Sequence, residues 1–336
     1  MLRHGLAFHF GTVVASAPLN TMRIFDAQAT RDALPFGRLV PALRRAFADG
    51  CEVPPRQVLT LPAPDGSTCT SLIMPAWSRR DSTAPRYGVK IVNIAPGNAA
   101  RGLPGLHASY LLFDAGTGVP LACIDGSVLT ARRTAAASAL AASFLARGDA
   151  RRLLLVGAGA VARLLPEAHR TVRPIEQVWV WARAPDKAAA LAQTLRADGF
   201  DAQAETDLAA AAARADIVSC ATLATAPLVQ GRWLAPGSHL DLIGSFTPQM
   251  READDDCFSG ASLFVDTDEA LQKSGDLLGP LSRGVLNAAS LRGTLGSLCD
   301  GSTPGGQNPQ ERTVFKSVGT ALEDLAAATL VLDSTG

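Results

Sequence analysis

Apolar and polar positions change rhythm along the chain. Val40–Phe47 (VPALRRAF) has apolar residues at helical spacing and stops before Gly50, which predicts a helix. Val58–Leu61 and Thr68–Met74 read as strands on either side of the turn Pro64-Asp65-Gly66. Tyr87–Ile94, Tyr110–Phe113 and Leu121–Ile124 are further strands, so the first third is rich in sheet. Leu129–Arg147 is Ala-rich and helical, ending at Gly148. Strand and helix then alternate. The strands are Leu153–Val156, Gln177–Ala182, Asp216–Cys220, His239–Ile243 and Leu263–Val265, with helices over Ala160–Arg170, Pro185–Ala197 and Leu208–Arg214. That order predicts an α/β fold with a doubly wound parallel sheet. After the loop Thr303–Pro309, a last helix over about Phe315–Leu332 places Val318, Ala321, Leu322, Leu325 and Leu332 on one face. No internal repeat is visible.

Composition narrows the function classes. At 336 residues and 47% hydrophobic, the chain has material for two domains. Lys+Arg and Asp+Glu are both 31, and aromatics are 5%, so neither a basic field nor a stacking surface for nucleic acid is expected. Six scattered cysteines contain no C-x-x-C, and five histidines form no H-x-x-x-H pair, so no metal site is expected. No apolar run is long enough to span a bilayer. Met1–Asn20 faintly resembles a secretory signal, but His9 and Gly11 interrupt its apolar stretch. The preferred reading is an N-terminal extension over residues 1–21, a working domain starting near Met22, and a cytoplasmic location.

The strongest local signal follows Leu153–Val156. Gly157-Ala158-Gly159-Ala160-Val161-Ala162 has the G-x-G-x-x-A form of a dinucleotide-binding turn, in strand–turn–helix order. The next strand ends Trp179-Val180-Trp181-Ala182-Arg183, without the acidic residue that holds a ribose in NAD enzymes. Arg183 offers donors suited to a 2′-phosphate, so NADP(H) is favoured over NAD(H).

Four other positions carry candidate chemistry. Arg132 and Arg133 are placed at the start of the Ala-rich helix, where two cations and free N–H groups suit a substrate carboxylate. Lys90, in GVKIVNI, shares a strand face with Val92 and Ile94. It is either an acid/base group with a lowered pKa or a lysine that snorkels out at a strand end. Arg56, after Pro54-Pro55, is another possible carboxylate ligand.

Together these pieces resemble the ornithine cyclodeaminase/mu-crystallin family. The matching segments are PPRQVL (54–59), MPA (74–76), GVKIVNIAPGN (88–98), PLACIDGSVLTARRTAAASALAA (120–142), VGAGAVA (156–162), HLDLIGSFTPQMREAD (239–254), VDTDEAL (265–271), SGDL (274–277) and ERTVFKSVGTALEDLAAA (311–328). The resemblance implies a homodimer of two-domain subunits. A sheet-rich α+β substrate-binding and dimerisation domain covers 22–131 and 312–336, and a Rossmann domain covers 132–311. It implies Lys90 as the active-site lysine, and Arg56 and Arg133 as substrate arginines, favouring Arg133 over Arg132. Thr247 joins the candidate substrate contacts. Thr134, Ala221, Thr222 and Ser245 join Gly157–Val161, Ala182 and Arg183 as candidate cofactor contacts.

One departure matters. The family's cyclodeaminases and related alanine dehydrogenases resemble G-x-D-x-P-G-K after the fifth Rossmann strand, and that aspartate is their acid/base group. Here the stretch is Gly244-Ser245-Phe246-Thr247-Pro248-Gln249, with Phe246 in the aspartate's place. Phenylalanine accepts no proton. Asp241 is near in sequence but is expected to point elsewhere. The expected activity is therefore NAD(P)H-dependent reduction of a small cyclic imino acid, of ketimine or 1-pyrroline-2-carboxylate reductase type. The alternatives are an ornithine cyclodeaminase and a non-catalytic, mu-crystallin-like NADP-binding protein.

Overall fold

The computed structural model describes residues 21–334 apart from 63–65 and 67. The readings at Met1–Asn20 and at Pro64-Asp65 lie outside the described residues.

The first layer is a seven-stranded sheet of β1 (Arg23–Phe25), β2 (Cys51–Glu52), β3 (Gln57–Pro62), β4 (Thr68–Ser78), β5 (Arg86–Ile94), β6 (Leu106–Asp114) and β7 (Pro120–Asp125). Its order is β1-β7-β6-β5-β4-β2, with β3 also pairing β4. β1 and β7 run parallel, and the other pairs are antiparallel. Period-two alternation decides the faces. Met74, Lys90, Tyr110 and Ile124 stand in one cross-strand row, all buried. Ala76, Gly88, Leu112 and Ala122 form the next row. Gly88 is small for a reason, since a Cβ there would lie 2.0 Å from the Tyr110 hydroxyl.

Helices cover that face: α1 (Ala27–Ala33) against β1 and β7 and, much later, α10 (Ala321–Asp333) across β4, β5 and β6, with α2 (Phe36–Asp49) packed over α10. α2 buries Phe36, Leu39, Val40, Leu43 and Phe47, an i, i+3, i+4 stripe, and ends at Gly50 with φ +72°. The opposite face is open. Trp77, Tyr87 and Phe113 make an aromatic ladder on it, with ring centroids 6.5 and 5.4 Å apart.

α3 (Gly126–Leu145) joins the layers. The sequence placed its start at Leu129; the helix begins a turn earlier. Asp125 caps it by accepting from the Val128 N–H at 2.8 Å. Gly126 lets it rest on β6, because a Cβ there would sit 2.7 Å from the Ala108 backbone. Alanine and other small side chains let the helix pack against both sheets.

The second layer alternates strand and helix: β8 (Arg152–Val156), α4 (Ala160–Arg170), β9 (Gln177–Trp181), α5 (Pro185–Ala197), β10 (Asp201–Ala204), α6 (Leu208–Arg214), β11 (Ile217–Cys220), β12 (His239–Leu242), β13 (Ser262–Val265), α7 (Ala270–Lys273), α8 (Gly275–Ser282), β14 (Leu291–Thr294), α9 (Leu295–Cys299) and β15 (Thr313–Lys316). All its pairs are parallel, in the order β10-β9-β8-β11-β12-β15-β13-β14. Continuous apolar runs such as Leu153–Val156 are buried on both faces, as a parallel sheet requires. The three helices expected in this half, Ala160–Arg170, Pro185–Ala197 and Leu208–Arg214, are all present.

The last helix read from sequence needs correction. Thr313–Lys316 is a buried strand between β12 and β13, and α10 starts only at Ala321. Gly319, at φ +76°, breaks the run between them. One core cluster runs from α2 and α10 through α3 to one face of the second sheet, and another fills its opposite face. Among the described residues, no helix is long and apolar enough to cross a membrane.

Candidate active site

The strand order reverses direction between β8 and β11, which opens a crevice at their C-terminal ends. Gly157 turns the chain there at φ +116°, and its N–H donates to the Trp181 carbonyl at 2.8 Å. A Cβ on Gly157 would come within 2.6 Å of the Ala221 carbonyl, so only glycine fits. Gly159 is the N-cap of α4 and is exposed, with no atom within 4 Å of its Cβ position. The first turn of α4 thus leaves free N–H groups beside an uncrowded Gly159, as an anion site at a helix N-terminus needs. Ala162 is buried where helix meets strand. Ala158, Val161, Ala182, Ala221 and Thr222 are half-buried around the crevice, and Ala160 and Arg183 are exposed at its rim. These residues fit a dinucleotide.

A buried carboxylate sets the far wall. Glu252 Oε1 accepts from both the N–H and the hydroxyl of Thr222 at 2.7 Å, and its Oε2 accepts from the Gly244 N–H at 2.6 Å. The loops after β11 and β12 are thereby clamped together. Ser245 is fully buried beside them. Its hydroxyl donates to the Met250 carbonyl at 2.5 Å and accepts from the Asp276 N–H at 3.0 Å. Thr247 is half-buried in the same loop. Thr134, on α3, donates to the Thr130 carbonyl at 2.7 Å.

The cations converge at the other end. Lys90 lies on the inward face of β5, with Nζ 2.6 Å from Asp324 Oδ2. Arg133 Nε donates to Asp324 Oδ1 at 2.9 Å, and its Nη1 pairs with Glu323. Among the described residues, Arg133 Nη2 has no partner. Arg56 Nη2 donates to the Gly319 carbonyl at 3.2 Å. Three basic side chains from separate segments therefore meet the chain between Gly319 and Asp324. Burial pulls the Lys90 ammonium down to about 8, with Asp324 resisting. Burial pushes Glu323 up to about 7 against the pull of Arg133. Asp324 is also buried, yet Lys90 and Arg133 outweigh that and hold its carboxyl below the usual range.

The argument from a helix start does not survive for Arg132 and Arg133, since α3 begins at Gly126 and both lie in its second turn. Both are buried, so neither is a surface residue, and they point different ways. Arg132 packs its guanidinium 4.2 Å over the Phe36 ring and donates to the Leu34 carbonyl at 2.7 Å, whereas Arg133 turns towards Lys90.

Residues 36–336 match the ornithine cyclodeaminase/mu-crystallin family. The chain belongs to that family. Delta(1)-pyrroline-2-carboxylate reductase of Paracoccus denitrificans is 46% identical over 250 residues, covering 73% of this chain and 78% of the relative. Ketimine reductase mu-crystallin of Rattus norvegicus is 36% identical over 263 residues, covering 78% and 79%. The structure of Thermococcus litoralis Delta(1)-pyrroline-2-carboxylate reductase in complex with NADH and L-proline superposes with a TM-score of 0.86 at 32% identity, covering 94% of this chain and 97% of that one.

Within this family member, the loop position that a cyclodeaminase fills with aspartate holds Phe246, 42% exposed. Asp241 does not replace it. Asp241 is buried in mid-strand, where its Oδ1 accepts from the Ser138 hydroxyl at 3.1 Å and its Oδ2 from Ser219. Sequence reasoning missed Glu252, Asp276, Lys316, Glu323 and Asp324. Their signal was present: charged residues inside otherwise apolar runs, such as Leu322-Glu323-Asp324-Leu325, are buried only with partners.

Proposed function

We propose that this chain is an NAD(P)H-dependent reductase of a small cyclic imino acid, of the 1-pyrroline-2-carboxylate or ketimine type, with a proline-like product. The observation that carries the reading is Lys90. It is an ammonium held by a buried carboxylate, with a pKa near 8, so it is charged at neutral pH and still able to release a proton. A reduced nicotinamide, when bound in the β8–β11 crevice, would supply the hydride for the imine carbon. Lys90 holds the proton that the imine nitrogen takes as the C=N bond becomes an amine. Asp324 fixes Nζ in place, and Arg133 braces Asp324 from its other oxygen. Arg56 and the unengaged Nη2 of Arg133 would orient the substrate carboxylate, with Thr247 as a further candidate contact. Gly157–Val161, Ala182, Arg183, Ala221 and Thr222 would hold the cofactor, with Thr134 and Ser245 as further candidate contacts.

Phe246 argues against cyclodeamination, because it puts no base at that position, and Glu252 in the same loop is engaged by Thr222 and Gly244. The same cation cluster argues against a purely binding role. The proposed domains follow the sequence reading, except that β15 belongs to the second sheet, so the chain returns to the first layer after Lys316. The open face of the first sheet, with Trp77, Tyr87 and Phe113, suits a homodimer contact. A cytoplasmic location suits a reductase that draws on that nicotinamide pool. Mixing the purified protein with NADPH or NADH and Δ1-pyrroline-2-carboxylate or its six-membered homologue tests the reading. Loss of reduced-nicotinamide absorbance is expected. Silence on every cyclic imine, or ammonia release from ornithine without added cofactor turnover, would overturn it.

A further inference from the structure

Arg56 already holds a carboxylate. Glu269 follows β13 in the second layer and reaches across to the first, with Oε2 3.4 Å from Arg56 Nη2. Arg56 comes from the connection between β2 and β3, so the pair spans the two layers beside Gly319. Lys273, one turn further on, pairs with the same Glu269 oxygen. Between Arg56 and Glu269, walled by Pro54, Met74 and Thr320, only about 10 Å³ remains, room for at most one water. With Glu269 there, Arg56 Nη2 is already engaged, and a substrate carboxylate has to displace Glu269. Arg56 and Glu269 are both partly exposed, so their pairing is weak and breakable.

We infer that Glu269 is a built-in stand-in for the substrate carboxylate, a gate that leaves Arg56 for Lys273 when the imino acid enters. This rests on the assignment of Arg56 to that carboxylate. Lys273 keeps Glu269 paired in both positions, so opening strands no charge. Glu269 then competes with the ligand and sets its apparent affinity. Left beside the pocket, it also repels a second carboxylate on the ring, which narrows the substrate class to monocarboxylates.

The test is calorimetric titration of the full chain, saturated with oxidised cofactor, with pyrrole-2-carboxylate. This probe is planar, carries the same carboxylate and has no C=N bond to reduce. Glu269→Gln is expected to bind it about two- to five-fold tighter than wild type, and Arg56→Gln to lose most of the affinity. Unchanged or weaker binding by Glu269→Gln, with Arg56→Gln still impaired, overturns the gate and leaves the role of Arg56 standing. Wild-type affinity in Arg56→Gln overturns both. No binding to the wild type counts against the imino-acid reading itself, and the gate falls with it.

Discussion

Lys90 Nζ lies 2.6 Å from Asp324 Oδ2, with neither side chain open to solvent. Burial alone would strip the lysine of its proton, and Asp324 offsets part of that, leaving a group that titrates near pH 8. The reductase needs the charged form, so its rate should fall as pH rises through about 8. Asp324→Asn removes the stabilising charge and should move that limb to lower pH, as read from kcat profiles. Lys90→Met should lower kcat by about 10²- to 10⁴-fold while leaving cofactor binding in place. A limb that stays put in Asp324→Asn would show that Lys90 is not the group titrating.

Gly319 concentrates several constraints. Its φ is +76°, its N–H donates to Asp266 at 2.6 Å, and a Cβ on it would lie 2.7 Å from Arg133 Nη1. Gly319→Ala should therefore cost about 1–3 kcal/mol of stability and also raise KM for the imino acid. Gly284 is a control, since it shares the backbone conformation at φ +73° but has nothing within 4 Å of its Cβ position. Gly284→Ala should lose stability without a change in KM. Equal KM values for the two variants would detach Gly319 from the site.

These two sites show what could be read in advance. Gly157–Ala162 was legible because its chemistry is local: one turn, one strand, one helix. Lys90 was half legible, since alternation put it on the inward face of β5 but could not name Asp324, which arrives from the other end of the chain. β15 was misread because four residues of strand, TVFK, run into a long apolar helix with only Gly319 to mark the break. The start of α3 was misread because apolar periodicity begins at Leu129, whereas the helix is set by the Asp125 cap and the Gly126 contact. The choice of Arg133 over Arg132 came from the resemblance, and the helix-start argument made for both arginines does not hold. The place of Arg133 comes from Glu323 and Asp324, not from a helix dipole.

His169 and His239 sit together below the second sheet, fully buried. His239 Nδ1 lies 2.9 Å from the Thr313 hydroxyl, and neither His169 nitrogen has a partner among the described residues. Burial pulls both imidazoles down to about 3, and Arg173 adds to it. Between pH 6.5 and 3 the unfolded chain takes up protons that these two residues refuse, so their contribution to stability is lost as pH falls. Asp241 and Glu323 are raised to about 7 and act in the opposite sense over the same range. A difference measurement removes them. In urea unfolding, His169→Leu should gain on wild type as pH drops from 7 to 5, by up to about 1.4 kcal/mol per pH unit below 6.5. A constant difference between the two proteins would mean that His169 is already charged or wet in the folded state.

On the proposed reading, Arg183 sets the cofactor preference. It stands exposed at the end of β9, where the chain leaves the strand beside Gly157 and no acidic side chain precedes it to hold ribose hydroxyls. A 2′-phosphate placed there gains a charge-assisted contact that a 2′-hydroxyl does not need, and exposure to solvent keeps the gain modest. Arg183→Gln should raise KM for NADPH about five- to ten-fold, leave KM for NADH within about two-fold, and leave kcat with either unchanged. The wild-type preference should also shrink as salt rises, because the contact is screened. If both cofactors lose affinity equally, Arg183 is reading the diphosphate or nothing, and the preference for NADP(H) has to be sought elsewhere in the crevice.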